Sequence, residues 1–117
     1  RELHAIDYLV GIRKLANELA RTSIVSLNVD GFALPLPELR QAERVELRRK
    51  KLGLASAFVI ARCIVTNEHM LEVNLGENHL CHGNHLIGLQ ELLAAFASMH
   101  SLSILNLDAI GLPGGGA

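Results

Sequence analysis

The chain has 117 residues, half of them hydrophobic, with three Phe, one Tyr and no Trp, which fits one domain whose core is Leu, Ile, Val and Ala. A formal charge of −1 removes any global pull toward nucleic acid or membrane, so charge arguments must be local. No apolar run nears the ~18 residues of a membrane span, and no signal-peptide pattern is present.

In chain order, Ala5 to Ala20 is predicted as a helix, because Ala5, Leu9, Ile12, Ala16 and Leu19 recur at helical spacing. Thr22 and Ser23 break it, and Ile24 to Val29 follows as a strand pattern. Leu34-Pro35-Leu36-Pro37 disfavours helix before each proline, which predicts an extended connection with room for one turn over Pro37 to Gln41. A second strand pattern, Arg44 to Leu47, leads through Arg48-Arg49-Lys50-Lys51 to a helix over about Ala55 to Thr66. Its buried stripe is expected at Ala57, Ile60, Ala61 and Ile64, with Phe58 and Val65 on the flanks. A third strand around Val73 and Leu75 precedes a helix over about Leu86 to Met99, expected to bury Leu86, Leu89, Leu93 and Phe96. Each such side chain contributes roughly 1.5 to 3 kcal/mol when fully buried. Leu102 to Leu107 is the last strand pattern.

The strand patterns share a template. Met70 to Leu80, MLEVNLGENHL, matches L-x-x-L-x-L-x-x-N-x-L, and the pattern recurs at Ile24 to Leu34, Ala42 to Leu52 and Leu102 to Leu112. The starts at 24, 42, 70 and 102 give spacings of 18, 28 and 32 residues. The Asn place is kept only by Asn78; Phe32, Lys50 and Ile110 stand there in the other units. A side-chain amide at this place can bond backbone groups that a short strand leaves unpaired. Strand patterns alternating with helices at this spacing, with Gly53, Gly83 and Gly114 soon after each final leucine, resemble the ribonuclease-inhibitor-like subtype of leucine-rich-repeat proteins. The resemblance implies an α/β solenoid with a concave parallel β-sheet and convex helices, and a function in protein binding. Residues 1–117 then form a single segment of about four strand units, read as an excerpt of a longer array. Its ends would show apolar edges, so the isolated chain is expected to self-associate, aggregate or melt with low cooperativity.

On that reading the concave face carries three columns: Ser26, Arg44, Glu72, Ile104; then Asn28, Glu46, Asn74, Asn106; then Asp30, Arg48, Gly76, Asp108. Adjacent strands lie about 4.8 Å apart, so column members become neighbours. The candidate partner-binding residues are Asn28, Asp30, Arg44, Glu46, Arg48, Glu72, Asn74, Asn106 and Asp108.

Other chemistries find less support. His79, Cys81, His82 and His85 crowd four zinc-type ligands into one strand exit, without the second ligand pair that a structural site joins, so no metal or other cofactor is assigned. The run Arg48 to Lys51 lacks interleaved aromatics for base stacking, which disfavours nucleic acid and favours a solvated rim or an acidic partner. No G-x-S-x-G elbow or G-K-[ST] phosphate loop occurs, and no enzyme is expected. Cys63 and Cys81 do not make a disulfide framework; free thiols and a cytoplasmic setting are the expectation. The functional expectation is a protein–protein interaction scaffold that uses the concave face. The alternatives are a structural segment of a large intracellular assembly and, by analogy with Ran GTPase-activating proteins of the same repeat subtype, a regulator of a small GTPase.

Overall fold

Leu27, Leu34, Val45 and Val73 alternate with polar or small neighbours in strands only three residues long, and in a fifth such strand Leu105 stands between Ile104 and Asn106. The computed structural model describes residues 5–19, 21–81 and 86–111. Its elements are α1 (Ala5–Leu19), β1 (Ser26–Asn28), β2 (Ala33–Pro35), α2 (Leu36–Gln41), β3 (Arg44–Glu46), α3 (Leu54–Ile64), β4 (Glu72–Asn74), α4 (Ile87–Ala97) and β5 (Ile104–Asn106).

These strands form two sheets, and this corrects the expectation of one concave sheet built from four parallel units. β3, β4 and β5 are parallel and in order, with Arg44 beside Glu72 beside Ile104, Val45 beside Val73 beside Leu105, and Glu46 beside Asn74 beside Asn106. β1 instead pairs antiparallel with β2, Ser26 opposite Pro35 and Asn28 opposite Ala33, in a separate two-stranded sheet. The connection explains the difference. Parallel neighbours need a crossover of a dozen or more residues, usually carrying a helix that covers the sheet. Here Gly31, at φ 90°, turns the chain back, with its N–H donating to Asn28 Oδ1 at 2.7 Å. The chain then returns as β2, and only the short α2 remains before β3. The solenoid arrangement therefore does not describe this chain.

α2 starts where its prolines allow. Pro37 stands in the first turn, where a missing N–H costs nothing, and Glu38 and Arg40 lie at the ends their charges favour. α3 is the central helix: Ala55 through Ala61, Cys63 and Ile64 are all buried, and α1, α2 and α4 pack around it. Phe58, expected on the flank, is fully buried, whereas Val65 is exposed. In α4 the buried stripe is Gly88, Leu92, Ala95 and Phe96, so the expected Leu86 and Leu93 are exposed instead. Gly88 keeps this crossing close: a Cβ there would lie 3.1 Å from Ala57 Cβ and 3.2 Å from Leu54 Cδ1, so those neighbours would have to give way.

The helix layer is cross-linked on its outside. Arg62 of α3 donates to Asn17 Oδ1 of α1 at 2.6 Å and pairs with Glu91 of α4 at 2.9 Å, while Arg13 of α1 lies over the Phe58 ring. Asn67, just past α3, donates through Nδ2 to the carbonyls of Leu39 and Ala42 and accepts from His69 N–H, tying that exit to the end of α2.

Candidate binding face

The polar positions of β3, β4 and β5 face away from the core that buries Val45 and Val73. Three rows result. In the first, Arg44 donates to Glu72 Oε1 at 3.2 Å, and Ile104 stands beyond them with 54% of its surface exposed. In the second, Asn74 donates to Glu46 Oε1 at 3.2 Å, while its own Oδ1 accepts Gly76 N–H at 3.0 Å. Asn106 repeats the turn-forming bond, its Oδ1 accepting Asp108 N–H at 3.0 Å. The Oδ1 of each asparagine is thus spent on bending its own strand exit, which leaves the Asn74 amide nitrogen to bond Glu46.

The third row, Arg48, Gly76 and Asp108, carries the strongest charges. Arg48 Nη1 and Nη2 donate to Asp108 Oδ1 and Oδ2 at 2.8 and 2.9 Å, a two-pronged bond that passes over Gly76. A Cβ on Gly76 would collide with Asp108 Oδ1 and lie 2.7 Å from Arg48 Nη1, so no side chain fits there while the bridge stands. Glu77 accepts from both Arg48 and Arg49. The bond from Arg49, then that from Arg48, hold the Glu77 carboxyl below its ordinary range. The same bonds raise both guanidinium groups above theirs, Arg48 first through Asp108 and Arg49 first through Glu77. The basic run is therefore not a free cluster: two of its four cations are neutralised by acids 28 to 60 residues away, and Lys50 Nζ sits 5.3 Å from the Phe32 ring.

Beneath this face Asn78 holds the strand exits. It is 2% exposed; its Oδ1 accepts the N–H groups of Lys50 and Leu52 at 3.0 Å, and its Nδ2 donates to the carbonyls of Leu47, Leu75 and Gly76. The eighth residue of every motif unit, Gly31, Arg49, Glu77 and Ala109, has a φ between 54° and 90°, so the exits turn alike even though one strand pairs differently.

Seven of the nine sequence-derived candidates, Arg44, Glu46, Arg48, Glu72, Asn74, Asn106 and Asp108, come together here. Asn28 and Asp30 do not. Asn28 lies in the antiparallel hairpin, and Asp30 caps α3: its Oδ2 accepts Gly53 N–H, Ser56 N–H and the Ser56 hydroxyl at 2.9, 3.0 and 2.6 Å. Residue reading missed Asp30 as a cap, Asn67 as a tie and Glu77 as an acceptor. The Arg–Gly–Asp column was a usable signal, since opposite charges flank a residue without a side chain.

Of the metal-type cluster, His82 and His85 lie outside the described residues; among those described, no group of three His, Cys, Asp or Glu is placed to hold a metal. Cys63 and Cys81 are free and buried, and burial pushes both thiols up. An open depression of about 280 Å³ beside α2, lined by Pro37, Glu38, Gln41 and Ala42, shares no residue with the sheet face. Among the described residues, no helix is long and apolar enough to cross a membrane. Compared with protein-family models, with curated proteins and with solved structures, the chain matches none.

Proposed function

We propose that this chain is a protein-binding module whose working surface is the outer face of β3, β4 and β5. The observation that carries the reading is the charge balance of that face. Arg44 pairs with Glu72 and Arg48 with Asp108, so rows one and three are internally neutral. Glu46 has only the Asn74 amide as a partner among the described residues, and Ile104 stands exposed beside these polar groups. A rigid polar surface with one unneutralised carboxylate and one apolar anchor suits a partner protein better than a small molecule, which favours a concave, mostly apolar site.

The family kinship remains a proposal, supported by the backbone bonds of Asn78 and the shared turn geometry of the motif units. An intracellular, cytoplasmic setting belongs to the same proposal, supported by two buried free thiols. A structural segment of a larger intracellular assembly is the second reading, favoured by the exposed apolar side chains on α4 and β5. The test is affinity capture with the native chain and with a Glu46→Lys, Asn74→Lys double variant of matched stability. Loss of a defined set of bound proteins supports the sheet face; an unchanged set refutes it.

A further inference from the structure

The charges around the face of β3, β4 and β5 do not cancel. Three guanidinium groups, Arg44, Arg48 and Arg49, stand there with five carboxylates, Glu43, Glu46, Glu72, Glu77 and Asp108. Each guanidinium is already engaged: Arg44 by Glu72 at 3.2 Å and Glu43 at 4.0 Å, Arg48 by Glu77 and Asp108, and Arg49 by Glu77. The other cations of the basic run leave the rows, since Arg49 and Lys51 take φ 60° and Lys50 Nζ lies against the Phe32 ring.

The negative excess has a fixed place. Glu46 stands exposed in the middle row, its Oε1 accepting the Asn74 amide at 3.2 Å, and among the described residues no cation pairs with it. Arg44 and Arg48, two residues to either side, turn to it only by releasing carboxylates of their own. A cation from outside meets no such cost. One carboxylate does not make the oxygen cage of a divalent metal ion, whereas both Glu46 oxygens keep lone pairs that a guanidinium or ammonium group can use.

We propose that the partner of this face is a basic, extended protein segment that sets an arginine or lysine on Glu46; the inference rests on the sheet-face reading above and names the chemistry of its partner. Charge complementarity selects the cation, because every other charge on the rows is already opposed. Ile104 lies two strands and two residues from Glu46, about 12 Å at ordinary strand spacings. An extended segment laid diagonally spans this with four residues, about 13 Å, and its first and fifth side chains point the same way. The segment therefore carries a cation and an apolar residue four positions apart.

Selection of a random dodecapeptide library on the full chain tests this. Enriched peptides should share that spacing, and their binding should weaken as salt is raised. In calorimetry a synthetic copy should lose roughly threefold or more in affinity on Glu46→Gln, or when citrulline replaces its arginine. Glu38→Gln, which removes an exposed carboxylate from α2, should change nothing. Glu46→Arg should in turn prefer the peptide with glutamate in place of the cation, a charge swap that a structural role for Glu46 does not produce. Enriched peptides without a cation, no enrichment at all, or equal binding to Glu46→Gln overturns the proposal. Peptides that ignore Glu46→Gln yet are lost on Asn74→Lys leave the sheet face standing and remove only its basic partner; peptides indifferent to both changes refute the sheet face as well.

Discussion

Arg48 and Asp108, sixty residues apart in the chain, meet through two hydrogen bonds of 2.8 and 2.9 Å that cross the side-chain-free Gly76. The contact spans all three parallel strands and requires a long cation, a short acid and a gap between them.

Gly76→Ala should therefore break the bridge at a loss of at most about 1 kcal/mol, since the new methyl displaces the ends of two flexible, solvent-facing side chains. In an Asp108→Ala background the same change should cost less, because one colliding partner is gone. Urea unfolding of the four proteins of this cycle gives the coupling directly; strictly additive losses would mean that the bridge does not occupy the space above Gly76.

Asn78→Ala should cost more, about 3 kcal/mol or above. It strands Leu52 N–H and the Leu47 and Leu75 carbonyls in a buried region, and each unsatisfied group costs roughly 1 to 3 kcal/mol. Asn78→Asp keeps the acceptor yet loses both donors and buries a charge, so it should not rescue. Denaturant midpoints check both variants.

The strand register of the units beginning at 42, 70 and 102 was legible, because alternation and spacing place Arg44, Glu72 and Ile104 in one column whatever the intervening helices do. The unit at Ile24 shows the same alternation, but alternation does not say whether a strand pairs parallel or antiparallel. That choice lay in Ala33 to Pro35, which return along β1 as β2 and leave only the short α2 before β3. Asp30 fits the outward column by count, yet its carboxylate goes to the first turn of α3, a partner 23 to 26 residues on. The phase of α4 was illegible because Ile87 to Ala97 is apolar nearly all round, and the choice between Leu92 and Leu93 is made by the close approach at Gly88. Arg48 and Arg49 read as a basic patch because their acids are remote in sequence.

Asp30→Ala removes the side chain that supplies the N-terminal cap of α3, whose own N-cap residue, Gly53, has none to offer. A loss of about 0.5 to 2 kcal/mol is expected, with faster amide exchange at Gly53 and Ser56. Protection unchanged at those two amides would contradict the assignment.

Acid should weaken the exit network through Glu77. Its folded carboxyl titrates below the ordinary 4.5, so its contribution is fully present above that value and is lost as pH falls through the folded value. Glu77→Gln should be less stable than the native chain at neutral pH and show a flatter loss below about pH 4.5. Because the ion pairs are solvent-facing, added salt should narrow the difference. Thermal melts at several pH values and salt concentrations measure both effects.

The claim that the outer face of the parallel sheet binds protein is tested most directly at Glu46, its carboxylate without a cationic partner. Once affinity capture supplies a partner, calorimetry should be run on the native chain, on Glu46→Lys and on Asp30→Asn, a polar change away from that face. A loss of affinity of at least tenfold for Glu46→Lys, with Asp30→Asn binding as the native chain does, is the predicted result. Equal affinity for all three proteins would place the binding surface elsewhere and contradict the account.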